Sequence, residues 1–373
     1  MQDLFITKIH IGKVRHLTNV DIVLSDTERK HLILTGKNGS GKTSLLEAIR
    51  DGISYEQQRI LPSGQRVIGA AGQKKTEIEI SHSQVISNYS NIIFVYISAG
   101  RSHFVLPKAI ESVEIKDKTK IQSNKSTNFL KYILSLDYQL YGAQNDNNKE
   151  IEANLVKWFD NFKIALQDIY SCKELKLQRD TKNLTFKIEM PGREPFALHQ
   201  MADGYKAFLE IYMELIMRFE NANAVVEYGQ SAIVLIDEIE THLHVELQKR
   251  ALPFLTRMFP NVQFITTTHS PFVITSLANA VVYDLEKHEQ LENPSLYSFE
   301  SVVESFLDTS MYSQTLRDFF ERYKELCFKK RTPEENEEFL RAKTELELMS
   351  PASKELYFAF NDLEAKRKAA KNG

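Results

Sequence analysis

Eight consecutive residues carry enough chemistry to define a ligand class: Gly36-Lys37-Asn38-Gly39-Ser40-Gly41-Lys42-Thr43. They satisfy the pattern of glycine, four residues, glycine, lysine and serine or threonine. Glycines in this arrangement let successive backbone N–H groups turn onto phosphate oxygens without a Cβ in the way. Lys42 is placed to reach the β and γ phosphates of a nucleoside triphosphate, and the Thr43 hydroxyl to ligate Mg²⁺. Ser44 opens the segment Ser44 to Ile49, which reads as the first turns of a helix whose positive dipole end faces the same anion. ATP and Mg²⁺ are the expected substrate and cofactor.

Two carboxylates and an imidazole complete a candidate reaction centre. In "SAIVLIDEIETHLH", residues 231 to 244, the apolar run Ile233 to Ile236 reads as a buried strand. It delivers Asp237 and Glu238 at its carboxyl end, where ligands bind in open α/β sheets. Neighbouring strand residues point to opposite sides, so Asp237 is expected to hold Mg²⁺ while Glu238 faces the water that attacks the γ-phosphate. "FITTTHS" repeats the design, with a strand Phe264 to Thr268 ending in His269, an imidazole able to hydrogen-bond a γ-phosphate oxygen. Lys42, Glu238 and His269 are the candidate catalytic set.

The elements needed to hold these groups alternate in the manner of a doubly wound α/β fold. Phe5 to Ile11 and Val20 to Leu24 read as a hairpin, Leu32 to Leu34 as the strand entering the phosphate loop, and "TEIEIS" as an edge strand. Ile92 to Ile97, Ala232 to Ile236 and Phe264 to Thr268 read as further strands; Tyr205 to Phe219 and Val245 to Met258 read as helices. Between Arg101 and Pro195 the pattern changes to helical periodicity, Phe129 to Tyr141 and Ile151 to Tyr170, followed by short strands in "ELKLQ" and "LTFKIEM". We therefore expect a main body from residues 1–103 and 196–290, an inserted mostly helical lobe at 104–195, and a C-terminal helical region at 291–373.

Composition bounds the setting. The chain has 373 residues, 42% of them hydrophobic, enough for a large core with additions. A net charge of −3 offers no global attraction for nucleic acid. The start "MQDLFITKIHIGKV" lacks a basic stretch leading into an apolar one, and no run approaches eighteen apolar residues, so a soluble, cytoplasmic protein with no membrane partner is expected. Cys172 and Cys327 lie far apart without metal-ligand spacing and are expected to be reduced thiols.

Taken together, these motifs resemble the ABC-type ATPase heads of the RecF, SMC and OLD group, over about residues 4 to 103 and 196 to 285. "DEIETHLH" is similar to that group's Walker B strand joined to its D-loop, which places Glu240, His242 and His244 in the D-loop. "THSPFVI" is similar to its histidine switch. The resemblance assigns the signature motif to "HQMADGYKAFL", where Ala202, Asp203, Gly204 and Tyr205 would contact the γ-phosphate bound by a second copy. It implies a P-loop NTPase of ABC-ATPase type that pairs head to tail, as a dimer or higher oligomer. Ala202 departs from the family serine, which implies weaker contact in trans and slow or regulated hydrolysis; Val245 departs from the usual proline after "HLH". Arg15 is a candidate sensor. Arg101 reads either as a phosphate or sensor contact or as a solvent-facing arginine.

The compact lobe and mixed-charge tail resemble the stand-alone ATPases of bacterial anti-phage systems of the Septu type, which work with a separate nuclease subunit. A RecF-like recombination or repair ATPase is the alternative. Its support is the lysines at 116, 118, 120 and 125 and the basic end "AKRKAAKNG", which read either as DNA contacts or as solvated faces. A transporter's nucleotide-binding subunit is disfavoured by the altered signature.

Overall fold

The computed structural model describes residues 4–58, 67–69, 77–83, 93–100, 128–220, 226, 228–306, 313–348 and 354–372. It begins with β1 (Ile6–Val14), β2 (Leu17–Val23), β3 (His31–Thr35), α1 (Lys42–Gln58), β4 (Val67–Gly69), β5 (Glu77–His82) and β6 (Ile93–Ile97). The middle of the chain forms α2 (Phe129–Asn145), α3 (Lys149–Ile169), β7 (Lys176–Asp180), β8 (Thr185–Glu189), β9 (Phe196–Ala197) and α4 (Asp203–Phe219). There follow β10 (Ala232–Ile236), α5 (Val245–Met258), β11 (Val262–Thr267), α6 (Pro271–Ile274), β12 (Ala280–Asp284), β13 (Glu289–Glu292) and α7 (Phe299–Ser301). Last come α8 (Gln314–Cys327), α9 (Pro333–Glu347) and α10 (Lys354–Asn372). The chain divides into two compact units, Met1–Val302 and Val303–Gly373.

In the first unit a six-stranded sheet has the order β13-β12-β3-β11-β10-β6. All its described pairings are parallel except that of β13 with β12. Every residue of β3, β10, β11 and β12 is buried, the signature of a parallel sheet covered on both faces. Parallel pairing brings the carboxyl ends of β3, β10 and β11 to one edge. There the phosphate loop, the Asp237-Glu238 pair and His269 all leave the sheet. β11 lies between the other two, with Thr267 in register with Leu34 of β3 and Thr266 with Ile236 of β10.

A second sheet, order β2-β1-β5-β4, is antiparallel throughout. The segment expected to form an edge strand, "TEIEIS", is instead β5, interior between β1 and β4. Its alternation comes from one covered face, with Ile78 and Ile80 inward and Glu77 and Glu79 outward, and an interior antiparallel strand has that pattern too. Leu45, Leu46, Ile49 and Ile53 of α1 share one core with Ile9 and Ile11 of β1 and Leu32 and Leu34 of β3. The fully buried amide of Gln263 on β11 joins the layers: Oε1 accepts from Ile6 N at 2.7 Å, while Nε2 donates to Ile6 O at 2.9 Å and Lys30 O at 2.8 Å.

α2 pairs with α3 around Trp158, whose ring lies 5.2–5.8 Å from those of Tyr132, Phe159 and Phe162. Trp158 Nε1 donates to Glu220 Oε2 at 3.1 Å, just past α4, a helix buried from Ala207 to Phe219. The far end of α3 is tied to the body twice. Tyr170 stacks on Tyr205 with ring centres 4.1 Å apart, and Arg250 and Arg257 of α5 both pair with Asp168.

The second unit packs α8, α9 and α10 around Tyr323, Leu326, Phe339, Leu346 and Phe360. Thr332 and Glu335 form a capping box at the start of α9, as the sequence order Thr-x-x-Glu dictates. In the basic end of α10, Lys366 pairs with Asp362 at 2.6 Å and Arg367 with Glu364 at 2.7 Å, so part of that charge is neutralised locally. The lysines at 116, 118, 120 and 125 lie outside the described residues. Among the described residues no helix is long and apolar enough to cross a membrane.

A buried histidine at the start of β3 gives the fold a pH dependence. His31 Nδ1 accepts from Phe264 N at 3.1 Å, and burial, with Arg29 nearby, pushes its pKa down to about 4. Between its unfolded value and about 4 the unfolded chain binds the extra proton, so stability falls as pH falls through this window. Lowering the pH from 7 to 5 is expected to cost roughly 2 kcal/mol through this group. His31→Asn keeps an acceptor for Phe264 N but cannot titrate. Urea midpoints measured at both pH values should show a smaller pH dependence in His31→Asn than in the parent; equal dependence contradicts the assignment.

Candidate ATP site

The phosphate loop turns through left-handed backbone at Gly36, Gly39 and Gly41, with φ of +133°, +87° and +98°. At Gly39 a Cβ would be strained by the backbone yet would meet no atom of the described residues within 4 Å, so the space beside Gly39 is open among them. Lys42 is buried, and its Nζ donates to the loop carbonyls of Gly36 at 2.9 Å and Lys37 at 3.1 Å. Burial lowers its pKa, opposed by the charges of Glu238, Glu240, Asp237 and Asp284. Ser40 Oγ is buried with no hydrogen-bond partner among the described residues. An open loop lined by N–H groups, a lysine and a spare hydroxyl fits a triphosphate. Lys37 and Asn38 are exposed, with Lys37 held by Glu286 Oε1 at 2.7 Å.

The metal candidates meet directly. Thr43 Oγ1 donates to Asp237 Oδ1 at 3.2 Å. Two oxygens bound side by side to one octahedral Mg²⁺ at 2.0–2.1 Å are separated by about 3 Å, so this pair fits that ion. The same Asp237 oxygen accepts from Thr267 Oγ1 at 2.6 Å, and Thr267 Oγ1 in turn accepts from Glu238 N at 2.7 Å. Thr267 thus fixes both acidic residues from the neighbouring strand. Sequence reasoning missed it; the only available signal was the hydroxyl run Thr266-Thr267-Thr268 ahead of His269.

Glu238 corrects one expectation. β10 ends at Ile236, and Glu238 sits in left-handed backbone with φ of +43°, so strand alternation does not set its direction. A turn does: Thr241 N donates to Glu238 O at 2.9 Å and Thr241 Oγ1 to Glu238 Oε2 at 3.1 Å. A non-glycine residue held in this region costs on the order of 1 kcal/mol, and such outliers cluster at functional sites. His242, further along the loop, is also left-handed at +69° and exposed; His244, the cap of α5, is exposed but extended. Val245 then fills the first helical position, one that suits proline.

His269 follows β11 and is half-buried. Its pKa is lowered by burial and by Lys42, so the imidazole is predominantly neutral at pH 7. Its backbone N donates to Glu240 Oε1 at 2.5 Å. Lys42, Asp237, Glu238, Glu240 and His269 are therefore one cluster at the carboxyl edge of the sheet. Arg15 is exposed at the β1–β2 turn, with φ of +52°, and its neighbour His16 places Nε2 3.1 Å from Ser40 O. The turn is beside the phosphate loop. Arg101 lies outside the described residues.

The segment read as a signature starts α4. Ala202 is its exposed cap residue and supplies no side-chain hydrogen bond; Asp203 pairs with Lys206 at 3.2 Å. Gly204 has a packing constraint within its own chain besides the expected approach to a phosphate. Its missing side chain was expected to admit a phosphate held by another copy, but a Cβ there would lie 2.7 Å from His242 O of the same chain. The glycine is needed for α4 to pack on the loop carrying His242, so a bulky residue would displace that loop before any partner arrived.

Sheet order, phosphate loop and clustered acids together define a P-loop ATPase of ABC type. The chain belongs to the family described as "AAA domain, putative AbiEii toxin, Type IV TA system", whose model matches residues 78–275. It is 25% identical over 361 residues to the Septu protein PtuA of Bacillus mycoides (strain KBAB4), covering 86% of this chain and 47% of that protein. It is 29% identical over 154 residues to the Retron Ec83 probable ATPase of Escherichia coli, covering 41% of this chain and 28% of that protein. The chain thus spans less than half the length of these two relatives. Among solved structures, the SmcHead bound to the C-winged helix domain of ScpA aligns with 13% identity and a TM-score of 0.42, covering 79% of this chain and 100% of that one.

Thr267→Val keeps the shape of the side chain but removes the donor to Asp237 and the acceptor for Glu238 N. We expect a loss of roughly 1–3 kcal/mol in urea unfolding. Thr267→Ser, which retains both hydrogen bonds, should unfold at a higher urea concentration than Thr267→Val; the reverse order would contradict the bridging role.

Proposed function

We propose that this protein hydrolyses ATP between two copies of itself arranged head to tail, and that the cycle controls a partner effector nuclease in anti-phage defence. The observation that carries the chemical part is the convergence of Thr43 and Thr267 on Asp237 Oδ1, with Glu238 fixed alongside by Thr267. Thr43 and Asp237 would hold Mg²⁺, which neutralises charge on the phosphates. Lys42 exchanges its loop carbonyls for the β and γ phosphate oxygens. Glu238 orients and deprotonates the attacking water, and neutral His269 donates to a γ-phosphate oxygen.

A single chain leaves the outer side of the γ-phosphate open over Gly39. The start of α4 supplies what is missing from the second copy: an uncapped helix end at Ala202, whose N–H groups and positive dipole suit an anion. Similarity to a Septu protein PtuA over 86% of this chain supports the Septu-type reading, and the separate nuclease is what that reading implies. Local pairing of Lys366 and Arg367 weakens the argument for direct DNA binding by the C-terminal end.

Glu238→Gln retains Thr43, Asp237 and Lys42 and removes the base. It should bind ATP with parental affinity, reduce kcat by at least about 100-fold and accumulate as an ATP-bound dimer. Phosphate release and light scattering measure both effects. Parental turnover by Glu238→Gln would remove the residue from its role.

A further inference from the structure

Between the loop that follows β10 and the residues that follow β11 runs a closed circuit of hydrogen bonds. Glu240 Oε1 accepts from His269 N at 2.5 Å. The next residue, Ser270, donates its hydroxyl to Gln248 Oε1 at 2.6 Å, and Gln248 Nε2 donates to Leu243 O at 2.7 Å. Leu243 N donates to Glu240 O at 2.8 Å, which returns the circuit to its start. Ser270 also accepts from Val273 N as the cap of α6, so its hydroxyl is fixed from both sides. Five residues, three of them through their side chains, are locked to one another at the edge of the candidate ATP site.

Glu240 has features of a part selected for position. It is half-buried, and its second oxygen, Oε2, is buried with no hydrogen-bond partner among the described residues. Leaving a carboxylate oxygen so placed is costly, and a neutral or shorter side chain at an ordinary turn would avoid it. The loop it belongs to carries Glu238 at one end and packs its His242 carbonyl against Gly204 at the other. Any shift of that loop is therefore passed to the His269 backbone through one short charge-assisted hydrogen bond.

We propose that Glu240 and Gln248 are positioning residues: they clamp the His269 backbone to the loop bearing Glu238, so that the imidazole and the carboxylate take up their places on the γ-phosphate as one unit. This rests on the roles proposed above for Glu238 and His269. Glu240 acts through His269 and has no contact with the reacting atoms in this account. Coupling of this kind makes cleavage sensitive to the position of α4 and α5, the helices that border the loop.

The test combines a conservative rescue with a double-mutant cycle, all in the full chain with Mg-ATP. Glu240→Ala removes the acceptor and should lower kcat by about 10-fold or more, with ATP affinity within about twofold of the parent. Glu240→Gln keeps an acceptor for His269 N and should retain at least about a third of parental kcat. In a His269→Ala background, where the imidazole is already absent, Glu240→Ala should have no further effect on the residual single-turnover rate. The proposal is overturned if Glu240→Ala turns over like the parent, if its effect multiplies with that of His269→Ala, or if Glu240→Gln falls as far as Glu240→Ala, which would make charge near Lys42 the cause. Should Glu240→Ala not fold, Gln248→Ala breaks the circuit at its other side and is read by the same cycle. A failure of the underlying reading has a different outcome: Glu238→Gln would then hydrolyse ATP at the parental rate, whatever the Glu240 variants do.

Discussion

One hydroxyl organises the reactive edge of this molecule. Thr267 Oγ1 donates to Asp237 and accepts from the backbone of Glu238, and it can do so because β11 lies against β10 in parallel register. Parallel pairing is what sends the phosphate loop, both acids and the histidine out of the sheet at the same edge. β11, lying between β3 and β10, supplies the hydroxyl that binds Asp237 on the side of Thr43 and accepts from Glu238 N in its left-handed backbone. The strain at Glu238 is balanced by its bonds to Thr267 and Thr241, a local arrangement supported by the fully buried strands beneath it.

Around that edge, other segments of the first unit are attached to parts that touch the site. The amide of Gln263 fixes β1, and β1 leads to the turn whose His16 rests on the phosphate loop. The end of α3 contacts α4 through Tyr170 on Tyr205 and α5 through Asp168 on Arg250 and Arg257. These are the two helices that border the loop from Glu238 to His244. A displacement of α3 would bear on both at once, which gives that helix a physical route to the loop.

Much of the site was legible in the sequence because its chemistry is local. The phosphate loop is eight consecutive residues, and β10 and α5 were readable from unbroken apolar runs and helical spacing. What the sequence hid depends on contacts between distant segments. Thr267 is one threonine among three until the register with β10 is known. Gly204 looked like a site of phosphate approach, yet its need for no side chain comes from His242 of the same chain. "TEIEIS" shows the alternation of a strand with one wet face, which does not reveal whether it lies inside a sheet or at its edge. β12 and β13 were missed because short apolar runs near turns carry little periodicity.

In the proposed function a complete site is built from two chains. That arrangement is tested most directly by mixing two inactive variants, Lys42→Ala and Ala202→Glu. The first lacks the phosphate cation; the second places bulk and negative charge at an exposed cap residue without displacing its own loop. Each mixed dimer contains one intact phosphate loop facing one intact helix start. Equimolar mixing should restore roughly a quarter of parental turnover per chain, since about half the dimers are mixed and each has one working site of two. If no mixing ratio restores turnover although both variants are folded and dimerise, the site is not shared and the account fails.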